Sequence, residues 1–111
     1  MTLKTFYNKL LVPTVVELGG DINNLSPTDV GILYDGVRSG IDTYAPITKR
    51  QYDCYFMAYD MKMTQQKIAE FLKISQPTVN DHIKKGSENL LALTKTVYKV
   101  WSDINHGKEE N

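Results

Sequence analysis

Between Thr48 and Lys85 the chain carries three helix signatures joined by turns too short to let neighbouring helices separate. The first opens at Thr48-Lys49-Arg50-Gln51, which has the spacing of a capping box. Its aromatic positions Tyr52, Tyr55, Phe56 and Tyr59 recur at i, i+3, i+4 and i+7, one face of a helix. Core packing is the expected role of that cluster, with base stacking the alternative. Met61-Lys62-Met63 forms a turn, and Thr64 opens a short second helix, Gln65 to Leu72. Lys73-Ile74-Ser75 is the next turn. Ser75 then caps a third helix, with Pro77 in the first turn, where its missing N–H is no loss.

The last two helices have the pattern of a helix-turn-helix. Ile68 and Leu72 are expected to face the core. Ala69 stands where two helices cross closely, and a bulky side chain there would push them apart. Ile74 plugs the turn, while Val79 and Ile83, four apart, anchor the third helix onto the second. The outward positions are then Gln76, Thr78, Asn80, Asp81, Lys84 and Lys85. Gln and Asn side chains can pair bidentately with adenine, and Thr can touch a thymine methyl. Lys84 and Lys85 suit backbone phosphates. Pro77 offers a geometric constraint and an apolar contact. Asp81 is repelled by phosphate unless it accepts from a cytosine amino group or orients a neighbouring lysine. An ordinary solvated face is the plain alternative for this whole row.

The flanking segments are also helical in pattern, so the expected fold is all-α: N-terminal helices, a central helix-turn-helix and a long C-terminal helix. Leu3 to Leu18 has helical apolar spacing, interrupted by Pro13, which should split or kink the helix near Val12. Gly19-Gly20 is a stop. Ser26-Pro27-Thr28-Asp29 opens a second helix, which Gly40 is expected to end, leaving Ile41 to Pro46 as a linker. The final helix could run from Gln76 to about Asn105, roughly 45 Å. From Ile83 onward its apolar residues follow a seven-residue repeat with Gly86 at the weak position. Leu90, Leu93, Val97, Val100, Trp101 and Ile104 are the candidate oligomerisation seam; packing on Leu3 to Leu18 is the intramolecular alternative. Three units follow: an N-terminal helical segment over 1–46, the helix-turn-helix over 47–91, and a helical extension with a polar, frayed tail over 92–111.

Charge and composition narrow the function. Thirteen Lys+Arg balance thirteen Asp+Glu, which speaks against a protein that binds by bulk basic charge. Residues 47–91 hold seven positive and five negative side chains, residues 1–46 three and five, so basic charge is concentrated modestly in the helix-turn-helix. Cys54 is the only cysteine, set in an apolar stretch, and reads as a buried thiol in a reducing compartment. With His82 and His106 far apart in sequence, neither a metal site nor a cofactor is expected. No run approaches the ~20 apolar residues of a membrane span, so no membrane association and a cytoplasmic location are expected. No phosphate loop or nucleophile–base constellation is visible, and the chain is not read as an enzyme.

Ile47-Thr48-Lys49-Arg50-Gln51, then Met63-Thr64-Gln65-Gln66-Lys67-Ile68-Ala69-Glu70 and Ile74-Ser75-Gln76-Pro77-Thr78-Val79, resemble region four of bacterial sigma factors. They are also similar to output domains of response regulators and to small late-transcription regulators of temperate phages. The resemblance covers about 45 residues. It implies that the helix beginning at Gln76 enters the major groove, with Thr64, Gln65 and Gln66 near the DNA backbone. The family often carries Arg where this chain has Asn80-Asp81. The partners implied are double-stranded DNA, a homo-oligomer (dimer or larger) and RNA polymerase. The expected function is sequence-specific DNA binding in phage-type transcription control, in the cytoplasm of a bacterial host. Two alternatives stand: a phage small-terminase subunit recognising packaging DNA as a ring, and a polymerase-binding adaptor without base readout.

Overall fold

A computed structural model describes residues 1–109, with side chains placed as far as Asn105. The fold is all-α, with a long C-terminal helix. None of the described helices is long and apolar enough to cross a membrane. Helix α6, Gln76–Glu109, runs into the segment expected to be a frayed tail, of which residues 110–111 lie outside the described residues.

Two expectations are corrected. Of the split or kink expected at Pro13, the split does not occur. α1 (Leu3–Thr5) continues without a break into a π-helical stretch, Phe6–Leu11, and then α2, Val12–Glu17. In a regular ladder the proline ring would collide with the carbonyl four residues back. The widened π turn, in which the Val12 N–H reaches the Tyr7 carbonyl, absorbs that conflict before the proline is met. Gly40 does not end the next helix either, so Ile41–Tyr44 is not linker. α3 spans Pro27–Tyr44, starts on the Ser26/Asp29 capping box and stops at Ala45, whose φ is +45°. Gly40 is buried against α6, where an added Cβ would stand 2.9 Å from a Leu93 methyl. Its role is close approach, and the burial gained outweighs the roughly 1 kcal/mol helix cost of glycine. The Gly19-Gly20 stop does occur: Gly19 takes φ +79°, and the Gly20 N–H reaches the Val15 carbonyl at 2.9 Å.

The chain then forms α4 (Lys49–Tyr59) and α5 (Gln65–Leu72) before α6. Two apolar clusters result, and α4 feeds both. One gathers Phe6, Leu10, Leu11 and Val15 with Leu33, Val37, Ile47, Tyr55 and Leu90. The other joins Cys54 to Ile68, Ala69, Val79 and Ile83. Of the aromatic stripe, Tyr55 is fully buried and meets the Tyr59 ring edge-on at 4.7 Å; Tyr52, Phe56 and Tyr59 are half-buried. Core packing is therefore what the Tyr52, Tyr55 and Tyr59 rings do. Burial also pushes the Cys54 thiol above its ordinary value, keeping it protonated.

The N-terminal end of the chain is tied to the end of α4 by a polar clamp. The Met1 α-ammonium sits 3.3 Å from Asp60 and donates to the Tyr52 hydroxyl at 2.8 Å. The Thr2 N–H lies 3.2 Å from both Asp60 oxygens, and the Tyr34 hydroxyl donates to the Met1 carbonyl. Burial opposes the Asp60 charge, but the Thr5 hydroxyl, the Thr2 amide and the Met1 ammonium outweigh it and hold the carboxyl below its usual range.

Two outcomes follow. Asp60→Asn leaves the buried ammonium without its counter-charge and lowers unfolding stability by about 3 kcal/mol. Because the folded carboxyl titrates below its unfolded value, its contribution is whole above about pH 4 and drains away beneath it. Chemical denaturation across pH 2–5 should thus show a steeper acid limb for the wild type than for the variant; equal slopes would discount the clamp. Separately, a Cβ on Gly86 would stand 3.0 Å from the backbone carbonyl of Gln51. Gly86→Val should cost about 2 kcal/mol as α6 is pried off α4, read as a lowered denaturation midpoint with an unchanged slope.

Candidate nucleic-acid interface

The pair α5–α6 is set by local rules and one small residue. Thr64 accepts from the Lys67 N–H at 3.2 Å and so starts α5. Lys73 ends it in the left-handed region, φ +58°, and the Ile74 N–H turns back to the Ala69 carbonyl at 3.1 Å. Ser75 accepts from the Thr78 N–H at 3.2 Å and starts α6. Ile68 and Val79 are fully buried, Ala69 and Ile83 nearly so, and Leu72 and Ile74 pack on them half-covered. Hence the residues assigned to the crossing from sequence meet there.

The row assigned to the outer face is outward. Gln76, Pro77, Thr78, Asn80, Asp81, Lys84 and Lys85 are all exposed, as are Thr64 and Gln66; Gln65 is half-buried. The structure adds couplings among them. Gln65 donates to the Asn80 side-chain oxygen at 3.3 Å, bridging the two helices. The Ser75 and Thr78 hydroxyls lie 2.7 Å apart, so Thr78 is partly engaged in the cap. Lys85 pairs with Asp81 at 3.0 Å, both about half-exposed. Asp81 therefore stands as a partner that orients a lysine, and Lys85 offers less free charge than a bare residue count suggests. Lys84 has no ion pair among the described residues.

Two features, Phe71 and the lysines of α5 and its turn, were not singled out from sequence; for His82 the expectation was packing or a phosphate contact. Phe71 is 69% exposed on α5, off the Ile68–Leu72 stripe, although its position one residue before Leu72 already placed it outside that stripe. Lys67 and Lys73 are exposed on the same helix and its turn. His82 turns inward: its Nδ1 is buried with no hydrogen-bond partner, which favours a packing role over a phosphate contact.

The proposed oligomerisation seam divides. Leu90 is fully buried in the first apolar cluster, and Leu93, Val97 and Trp101 pack against it. An added Cβ at Gly36 would stand 3.0 Å from a Val97 methyl, so α3 sits directly on this part of the seam. Its heptad spacing records packing within the chain, on the Leu3 to Leu18 segment as well as on α3. Only Val100 and Ile104 of the six stand out, each 55% exposed.

Comparison with protein-family models, with curated proteins and with solved structures finds no match to this chain.

Ala69→Leu tests the crossing. The larger side chain should destabilise the fold by about 2 kcal/mol and shift the amide NMR signals of Gln65 and Asn80, whose bridge spans the two helices. Unchanged signals at both positions would mean that the crossing is not held at Ala69.

Proposed function

We propose that this protein binds double-stranded DNA through a helix-turn-helix, with the first turns of α6 in the major groove, as a phage-type transcription regulator in a bacterial cytoplasm. One observation carries the reading. An exposed row from Gln76 to Lys85, bridged to α5 by Gln65 at Asn80, faces outward while the opposite face, Val79 and Ile83, is locked into a core. A helix held by one face with hydrogen-bonding side chains on the other is what groove readout requires. The Ser75-capped start of α6 adds a positive dipole end suited to phosphate.

The bridge from Gln65 occupies one side of Asn80 and fixes how its amide is presented. Gln76 and Asn80 are the base-contact residues, Thr78 and Pro77 the apolar contacts. Lys84 binds phosphate. Thr64 and Gln66 lie at the DNA backbone. The modest basic excess of residues 47–91 implies salt-sensitive binding of limited single-copy affinity.

Exposure of Phe71 beside the turn favours a second reading, an adaptor docking on RNA polymerase without base readout. The packaging alternative, a terminase ring, requires a mass of many chains.

Fluorescence anisotropy with labelled duplexes at several salt concentrations tests the proposal. Lys84→Ala should weaken binding to all sequences and reduce the slope of log affinity against log salt by about 0.9. Asp81→Asn, which removes a carboxylate from a face apposed to phosphate, should tighten binding several-fold. If neither substitution changes affinity, this face does not meet DNA; polymerase binding without DNA affinity would support the adaptor.

A further inference from the structure

The outer row of α6 does not offer its hydrogen-bonding groups evenly. Several of its oxygens are already engaged within the chain. The Asn80 side-chain oxygen accepts from Gln65 Nε2 at 3.3 Å. Asp81 Oδ2 lies 3.0 Å from Lys85 Nζ. The Thr78 hydroxyl lies 2.7 Å from that of Ser75. The amino group of Asn80, by contrast, keeps both its hydrogens for a partner outside the chain.

The position of Gln65 explains this sense of pairing. It is the first residue of α5, and the positive end of a helix favours an oxygen over an amino group beside it. Gln65 is half-buried and Asn80 exposed, so the better anchored amide sets the plane of the freer one. Asn80 thus turns its oxygen toward α5 and its two N–H donors outward.

Base edges in the major groove ask different things of such a group. Adenine sets one acceptor, N7, beside a donor, the N6 amino group, and its bidentate pairing needs an amide that both donates and accepts. Guanine sets two acceptors, N7 and O6, side by side. The two hydrogens of Asn80 Nδ2 match that pair. Against adenine one of them meets N7 and the other faces a second donor.

We propose that Gln65 is a positioning residue that makes Asn80 a reader of guanine instead of adenine. The inference rests on the DNA-binding reading above and adds the identity of one base to it. It also moves Gln65 from the DNA backbone, where the sequence resemblance put it, to the support of a base-reading side chain.

Selection of the full chain on a randomised duplex library, followed by fluorescence anisotropy on the selected duplexes, tests this. The base pair read by Asn80 is the one whose preference disappears in Asn80→Ala. The wild type should select guanine there and bind the adenine duplex about tenfold more weakly. Replacing that guanine by 7-deazaguanine, which lacks N7, should weaken binding several-fold, while inosine, which keeps N7 and O6, should not. Gln65→Leu should lose the discrimination between the two purines. Gln65→Glu is the sharper variant. A carboxylate only accepts, so Asn80 must turn its amino group inward and its oxygen outward. Binding to every duplex should weaken, yet this one position should shift to adenine or cytosine, a change that partial loss of fold would not produce. Adenine selected by the wild type, an unchanged preference in both Gln65 variants, or no position altered by Asn80→Ala would each overturn the proposal and leave DNA binding standing. A chain that binds no duplex overturns both.

Discussion

The architecture rests on how closely α6 lies against α4. At Gly86 the two backbones come so near that a single added carbon would touch the Gln51 carbonyl. That approach allows one helix, α4, to serve two cores, Tyr55 facing the N-terminal helices and Cys54 facing α5 and the start of α6. Dispersion and apolar burial both fall steeply with small gaps, so a wider spacing would leave both clusters poorly filled. The same contact orients the polar row of α6, because the residues anchoring it, Val79 and Ile83, lie in the second of those cores. Stability and the candidate binding face are thus consequences of one helix pair.

Local features were legible. The capping boxes at Ser26 and Thr48, the Thr64 and Ser75 caps and the Gly19-Gly20 stop act over a few residues, and each forms. So does the Ile68, Ala69, Val79 and Ile83 crossing, because a three-residue turn leaves those side chains little choice. What escaped was set by distant partners. Gly40 looked like a terminator, yet its small size serves a helix some fifty residues later in the chain. Pro13 looked like a break, and a π turn, which no short-range pattern announced, absorbs it. The Met1–Asp60 clamp joins groups at opposite ends of the first half of the chain and has no periodic signature. The heptad after Ile83 was visible, but period alone cannot say whether an apolar stripe meets its own chain or another.

For the candidate site, residue type predicted exposure well and coupling poorly. Every residue assigned to the outer row of α6 is exposed. That Asp81 orients a lysine was one of the two roles open to it, and it holds Lys85; that Gln65 reaches Asn80 depended on rotamers and on the crossing angle of two helices. These couplings matter for chemistry, since a side chain already committed to a neighbour presents fewer free donors and acceptors to a base edge.

α6 is one uninterrupted rod from Gln76 past Trp101, with its only glycine in the placed region wedged against α4. No hinge separates its polar tip from the stretch near Leu93 and Val97 that packs on α3. A tilt imposed at the polar tip is therefore carried along the rod to its contact with α3 instead of being absorbed on the way.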